Sequence, residues 1–176
     1  MKLGELLRNL DVLDASAAMD MEITGVSYDS RKTQPGDLFV AIRGFESDGH
    51  KFIPAAMARG AAAVLCEEAP SDGTPYVRVA DCRKGLAYVS REFFGDPAKG
   101  MTLVGITGTS GKTTSSYLIK HMLEMKHDAK VGLIGTNGNM IGSECLHSDH
   151  TTPESYELHK LFRRMADEGC THVVME

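Results

Sequence analysis

Residues 101–114, MTLVGITGTSGKTT, form the most informative stretch of this chain. A short apolar run stops at a glycine-rich turn, Gly108-Thr109-Ser110-Gly111, and the next residues are Lys112, Thr113 and Thr114. A helical pattern begins at the lysine. A strand, a glycine-rich loop and a helix in this order are typical of a phosphate-binding loop. Glycines let backbone N–H groups approach anionic oxygens closely, and the start of the helix adds further donors.

The glycine spacing departs from the strict pattern G-x-x-x-x-G-K-[ST]. Counting back from Gly111, the first glycine belongs where this chain has Ile106. An ordinary strand-to-helix turn is the alternative, but the order of strand, loop, Lys-Thr and helix favours a nucleotide site. Lys112 is then the catalytic cation for the β- and γ-phosphates, and Thr113 offers a hydroxyl to Mg²⁺. The residues predicted to bind ATP are Gly108, Thr109, Ser110, Gly111, Lys112, Thr113 and Thr114.

The composition narrows the class of protein and its partners. The chain has 176 residues, of which 42% are apolar and 24% charged, and this is ordinary for a globular protein. Its net charge of −5 argues against nucleic acid as the main partner. The four cysteines are scattered without a C-x-x-C pair, as in a reduced compartment. No apolar run is long enough to span a membrane and no signal peptide is visible, so we expect a cytoplasmic protein.

Strands alternate with helices along the chain, which predicts an α/β fold. Residues 1–94 read as a small mixed α/β unit, and the Gly- and Pro-containing stretch 95–100 reads as a linker, so we place domains at 1–97 and 98–176. In the second domain a parallel sheet is expected from strands 101–106, 130–135 and 171–175, with helices at 112–125 and 155–168 and a loop at 136–150. The carboxyl ends of parallel strands form the ligand edge, where Lys112, Thr136 and Glu176 would meet.

Three other polar segments have two interpretations each. Glu176 follows an apolar strand, as does a carboxylate that orders Mg²⁺, but a surface carboxylate would read the same. Thr151-Thr152-Pro153-Glu154 can bind an anion at a helix start, yet plain capping explains it as well. Asp29-Ser30-Arg31 precedes a Pro-Gly turn and can be a polar contact to a ligand, but turn chemistry alone also accounts for it. The residues by themselves leave these alternatives open.

Taken together, these segments resemble the N-terminal part of Mur ligases of the MurE type. The resemblance covers nearly the whole chain and rests on several separated motifs. They are VSYDSR at 26–31, PGDLFVA at 35–41, DGH at 48–50, GTSGKTT at 108–114, GLIGT at 132–136, TTPE at 151–154 and HVVME at 172–176.

The resemblance implies an ATP-dependent amide ligase of peptidoglycan precursor synthesis. Such a ligase adds a third amino acid, L-lysine or meso-diaminopimelate, to UDP-N-acetylmuramoyl-L-Ala-D-Glu through an acyl phosphate, with ATP and Mg²⁺. It implies a UDP-binding first domain followed by the start of a P-loop ATPase domain, in a protein expected to be a monomer. The implied contacts to the UDP-sugar substrate are Ser30, Phe45, Glu46, Ser47, Thr151 and Thr152, and the implied Mg²⁺ ligands are Thr113 and Glu176.

Members of that family are longer than this chain. The segment expected to carry a modified lysine, and the domain for the incoming amino acid, have no counterpart before Glu176. We therefore expect the 176-residue chain to bind substrates without turnover. The remaining alternatives are a MurF-type or folylpolyglutamate synthase-type ligase, a P-loop kinase, and a non-enzymatic nucleotide-binding module.

Overall fold

The computed structural model describes residues 1–44, 47–127, 129–146 and 153–176. The chain divides into two compact units, Met1–Phe93 and Phe94–Glu176. Each unit contains one five-stranded sheet with helices packed against it. The predicted α/β class is confirmed.

The first unit is built on a mostly parallel sheet in the order β1-β5-β4-β3-β2. Strands β2 to β5 run parallel, and β1 joins the edge antiparallel to β5. The elements are α1 Leu3–Leu6, β1 Val12–Ala15, β2 Gly25–Ser27, β3 Asp37–Val40, a 3₁₀ helix Gly49–Phe52, α2 Ile53–Ala58, β4 Ala63–Cys66, β5 Tyr76–Val79 and α3 Cys82–Phe93.

The central strands of this unit are buried on both faces, because helices cover each side. All four residues of β3 and all four of β4 are buried. Phe39 packs with Ile53 of α2 on one face. On the other face α3 approaches so closely that a Cβ at Gly85 would lie 2.7 Å from Leu65. Strands that are buried along their whole length in this way are characteristic of parallel sheets.

The second unit has the strand order β6-β10-β7-β8-β9. Strands β6, β10 and β7 are parallel, as predicted. Helix α4 packs on one face, over Val131, Leu133 and Val174, and α5 packs on the other through Phe162 and Met165. The elements are a 3₁₀ helix Pro97–Gly100, β6 Thr102–Gly105, α4 Lys112–His127, β7 Lys130–Gly135, β8 Gly138–Ile141, β9 Glu144–Leu146, α5 Ser155–Asp167 and β10 Cys170–Met175.

The loop predicted over residues 136–150 is wrong for its described part. Residues 138–146 form an antiparallel hairpin, in which β8 pairs with both β7 and β9. Two-residue connections join these strands, and Gly138 and Gly142 adopt positive φ angles of 107° and 56°. The connection between β7 and β8 consists of Thr136 and Asn137, and Gly138 with its positive φ begins β8. The parallel sheet therefore continues into an antiparallel edge.

One face of the second unit leaves apolar side chains exposed. Leu118, Met122 and Met125 on α4 are 58%, 66% and 74% exposed, and Leu103 on the edge strand β6 is 43% exposed. Strand β6 pairs only with β10, so its outer backbone groups have no strand partner among the described residues. In the parts of the chain that the structure describes, no helix is long and apolar enough to cross a membrane.

The cysteines offer a chemical test of this burial pattern. Burial raises the pKa of Cys66 to about 11 and also raises the pKa values of Cys82 and Cys170, whereas Cys145 is exposed. Since the thiolate is the nucleophile, we expect iodoacetamide at pH 8 to label Cys145 alone until the protein is unfolded. Mass spectrometry of intact and urea-treated protein measures this, with Cys145→Ser as the control that should stay unlabelled. Rapid labelling of Cys66 in folded protein would contradict the fold.

Candidate functional site

The ends of three parallel strands define the site in the second unit. Strands β6, β10 and β7 run in the same direction, so their carboxyl ends meet at one edge of the sheet. Two backbone hydrogen bonds continue the pairing past the strand ends: the N–H of Ile106 donates to Met175 at 2.8 Å, and that of Glu176 donates to Ile134 at 3.0 Å. These bonds fix the position of Glu176 relative to the start of the glycine-rich loop.

The Glu176 carboxylate accepts hydrogen bonds from three hydroxyl groups. Thr113 at the start of α4 and Thr136 after β7 both donate to Oε2 at 3.1 Å. The Ser116 hydroxyl shares its single proton between Oε1 at 3.3 Å and the Thr113 carbonyl at 2.8 Å. The structure thus brings together Thr113 and Glu176, the two predicted metal ligands. Ser116 was missed in the sequence, although its position three residues after Thr113 places both on one face of the helix. Three elements converge on this one carboxylate.

The glycine-rich loop leads directly into α4. Gly111 has φ of +76°, a conformation that residues with a Cβ rarely adopt, and the helix begins at the next residue. The Lys112 ammonium donates to the carbonyl of Gly108 at 2.7 Å. The lysine therefore folds back over its own loop, where a bound phosphate would compete for the same ammonium group. The predicted loop residues Thr109, Ser110 and Thr114 are exposed at the same edge.

The side chains at this edge are suited to Mg²⁺, which prefers oxygen ligands. Magnesium is usually held by one or two carboxylates together with substrate phosphates, rather than by a cage of protein groups. Across the described ranges no group of three His, Cys, Asp or Glu side chains is clustered for a metal. A hydroxyl from Thr113 and a carboxylate from Glu176 would fit that mode. Gly135 makes room for this carboxylate, because a Cβ there would lie 2.4 Å from Oε1.

A separate cleft of about 510 Å³ lies in the first unit. Two of the predicted substrate contacts, Ser30 and Ser47, line it together. The predicted contacts Phe45, Glu46, Thr151 and Thr152 lie outside the described residues. The cleft is lined by Tyr28, Asp29, Ser30, Arg31, Ser47 and Phe52.

Asp29 fixes one wall of this cleft through Arg31. Its carboxylate accepts the Arg31 backbone N–H at 3.0 Å and the guanidinium at 2.9 and 2.8 Å. The side-chain hydrogen bonds from Arg31 lower the pKa of Asp29 below its ordinary value. The Arg31 side chain remains 86% exposed, so its other N–H donors are available to an anion. The segment therefore combines the two interpretations that its sequence allows, a turn and an exposed cation.

Sequence comparison relates most of the chain to one enzyme family. The Mur ligase middle domain matches residues 106–176, and the Mur ligase family, catalytic domain, matches residues 22–96. A UDP-N-acetylmuramoyl-L-alanyl-D-glutamate–2,6-diaminopimelate ligase from Chlorobium phaeobacteroides is 45% identical over the whole chain. The chain covers 35% of that relative and so spans about a third of its length.

Solved structures agree with the sequence relatives. A UDP-N-acetylmuramoyl-L-alanyl-D-glutamate–2,6-diaminopimelate ligase matches with a TM-score of 0.81 and 26% identity, over 100% of this chain and 36% of that one. A MurF ligase from Thermotoga maritima in complex with ADP matches with a TM-score of 0.56 and 26% identity. That match covers 89% of this chain and 32% of the other.

Adding one methyl group at Gly135 tests whether the position of the Glu176 carboxylate matters for binding. In Gly135→Ala the new Cβ displaces the carboxylate from its three hydroxyl partners, so we expect Mg²⁺-dependent nucleotide binding to weaken roughly 10-fold or more. Calorimetric titration with Mg-ATP measures the change. Gly100→Ala is the matched control, because a Cβ there meets nothing within 4 Å. Equal affinities for the two variants would show that the position of the carboxylate does not matter.

Proposed function

Because the chain belongs to the Mur ligase family, we propose that it forms the substrate- and ATP-binding part of an ATP-dependent amide ligase. The ligase acts on UDP-N-acetylmuramoyl-L-alanyl-D-glutamate and adds the third amino acid of the peptidoglycan precursor. One observation carries the proposal: the glycine-rich loop with Lys112 and Thr113 meets Glu176 at the carboxyl edge of a parallel sheet. In this proposal residues 1–97 bind the UDP-sugar and residues 98–176 begin the ATP-binding domain.

The reaction requires transfer of a phosphoryl group before the amide bond forms. The terminal D-glutamate carboxylate attacks the γ-phosphate of ATP, which releases ADP and leaves an acyl phosphate. The amine of the incoming amino acid then displaces phosphate. Lys112 exchanges its bond to Gly108 for the β- and γ-phosphate oxygens and stabilises negative charge as it develops there. Backbone N–H groups at the start of α4 hold the phosphates in place.

Thr113 and Glu176 would hold Mg²⁺ on the phosphate side of this site. When bound, the metal would supply positive charge that neutralises the phosphate oxygens. The protein's part is to keep the two ligands at the correct separation. Thr136 and Ser116 do this by hydrogen bonding to the same carboxylate, and Gly135 leaves the space that the carboxylate occupies.

The cleft of the first unit is the proposed site for the UDP end of the substrate. Ser30 and Ser47 supply hydroxyl groups, and Arg31 supplies a cation for the diphosphate. Phe45 and Glu46 would extend this contact, while Thr151 and Thr152 would contact the muramoyl-dipeptide part. Anchoring the UDP end restricts the distant carboxylate and so favours its reaction with ATP. The name of the Chlorobium relative supports diaminopimelate as the amino acid added.

The nucleotide half of the proposal is tested by removing the lysine. We expect Lys112→Ala to weaken Mg-ATP binding roughly 10- to 100-fold, because a hydrogen bond between charged groups is lost. Isothermal titration calorimetry on the 176-residue chain measures the affinity. Lys160→Ala is the control, since Lys160 is exposed on α5. Unchanged binding in Lys112→Ala would remove the loop from the ATP site.

The substrate half is tested at the first unit. We expect UDP-N-acetylmuramoyl-L-Ala-D-Glu to bind saturably, and Ser30→Ala to weaken that binding roughly 3- to 10-fold by removing one neutral hydrogen bond. Mg-ATP binding should stay the same in this variant. Ser71→Ala serves as a control at an exposed serine of the same unit outside the cleft. A chain that binds Mg-ATP but not the UDP-sugar would leave only a nucleotide-binding module.

A further inference from the structure

The connection between β7 and β8 places an asparagine directly before a glycine. It consists of Thr136 and Asn137, both exposed, and Gly138 follows as the first residue of β8 with a φ of 107°. The sequence has two other asparagines, but Asn9 precedes a leucine and Asn139 precedes a methionine. Asn137 is therefore the one asparagine of the sequence that a glycine follows.

An asparagine followed by a glycine can react with its own backbone. The side-chain amide carbon of an asparagine is within ring-closing reach of the backbone nitrogen of the next residue, and attack by that nitrogen forms a cyclic imide, a succinimide. A Cβ on the next residue hinders this approach, and glycine has none. Because Asn137 is exposed, water reaches the ring once it has formed.

The conversion needs no reagent other than water. The Gly138 nitrogen loses its proton and bonds to Cγ of Asn137, the Cγ–Nδ2 bond breaks, and the side-chain nitrogen takes the proton and leaves as ammonia. Water then opens the succinimide at either of its carbonyl groups. Attack at Cγ gives aspartate, whereas attack at the main-chain carbonyl carbon gives isoaspartate, in which the backbone runs through Cβ and Cγ.

The fold restrains this reaction by a strand pair at the end of a ladder. Gly138 pairs with Gly135, which is the last pair of the antiparallel β7–β8 ladder before the connection. Terminal pairs of this kind open locally at a small cost in free energy. The Gly138 nitrogen can therefore meet the Asn137 side chain without unfolding of the sheet.

The connection also borders the proposed nucleotide site. Its first residue, Thr136, donates a hydrogen bond to Oε2 of Glu176 at 3.1 Å. Gly135, the residue before it, lies so close to the same carboxylate that a Cβ there would be 2.4 Å from Oε1. A change in the backbone at Asn137 is thus one residue away from a group that positions the carboxylate.

Isoaspartate would alter this contact in two ways. It lengthens the backbone of a two-residue connection by one methylene group, and so short a connection cannot take up the extra length without moving Thr136. It also adds a negative charge near Glu176, where the proposed site would bind phosphate groups of the same sign. Both changes disfavour the binding of Mg-ATP.

We propose that Asn137 is a site of spontaneous covalent modification, and that its conversion to isoaspartate weakens the nucleotide site. The first part stands on the sequence and the fold alone, whereas the second part rests on the function proposed above. Nucleotide affinity then declines as the molecules age, because the loss of ammonia is not reversed.

Peptide mapping by tandem mass spectrometry tests the first part. After prolonged incubation of the folded chain at mildly alkaline pH, we expect Asn137 to show the mass change of an NH₂ group replaced by OH. Chromatography should separate two products of equal mass, and protein isoaspartyl methyltransferase should label one of them. Asn9 and Asn139 are internal controls that should stay unchanged. An unmodified Asn137, or equal conversion of Asn139, would overturn the proposal.

Calorimetric titration with Mg-ATP tests the second part. We expect the isolated isoaspartate form to bind Mg-ATP roughly 10-fold more weakly than fresh protein, as when a residue that orients a metal ligand is lost. Asn137→Gln is the matched control, because its longer side chain keeps the amide but disfavours the ring closure. Its affinity should be the same before and after incubation. An equal loss in both proteins would overturn the link to residue 137.

A second variant separates the charge from the length of the backbone. Asn137→Asp, measured before incubation, carries the added carboxylate without the extra methylene group. We expect it to lose less Mg-ATP affinity than the isoaspartate form does. A loss as large as that of the isoaspartate form would overturn the displacement of Thr136 as the cause.

The outcomes distinguish this inference from the proposed function. If fresh wild type binds Mg-ATP and the isoaspartate form binds it equally well, the effect on the site is wrong and the nucleotide assignment stands. If fresh wild type does not bind Mg-ATP, the nucleotide assignment and the second part both fail, while peptide mapping still decides whether Asn137 is modified. Circular dichroism of each form verifies that the fold is retained.

Discussion

The hydrogen bonds from Thr113, Ser116 and Thr136 to Glu176 hold together the site that we propose for the nucleotide. They join the first turn of α4, the end of β7 and the end of β10 at one ionisable group. No single element could hold that carboxylate, because its position follows from the parallel register of three strands. The loop that carries Lys112 starts from the same edge, so cation and carboxylate are positioned by one sheet. The arrangement of these side chains thus depends on the order and direction of the strands more than on any local sequence.

The parts of the site that the sequence predicted are those with a local signal. A glycine-rich loop between a strand and a helix is readable in fourteen consecutive residues, and a parallel sheet follows from alternating strands and helices. The hairpin of β8 and β9 was missed because its strands are short and its polar residues resemble a loop, even though Gly142 in the connection between them has a positive φ. The contact of His50 with Glu67 spans seventeen residues and has no periodic signal at all. Such side-chain-to-backbone contacts appear only once the fold is known.

The two units position their functional groups by different physical means. In the second unit, backbone pairing between strands places Glu176 and the glycine-rich loop. In the first unit, hydrogen bonds between loop side chains position the functional groups. Asp29 binds Arg31, and Asp48 binds the His50 ring in the turn before α2. Both carboxylates have lowered pKa values because they accept hydrogen bonds from these partners, so they remain ionised at neutral pH. Ionic hydrogen bonds of Asp29 and Asp48 therefore fix the segments that form the walls of the cleft.

The apolar face of α4 has a consequence for the chemistry of the protein surface. Met122 and Met125 carry two of the most exposed large apolar side chains described, whereas Met165 is fully buried in the core. Peroxide and related oxidants reach the exposed thioethers first and convert them to sulfoxides, which are polar. Oxidation would therefore make this face more hydrophilic while the core of the second unit keeps its packing. The hydrophobicity of this face therefore depends on whether the Met122 and Met125 thioethers are oxidised.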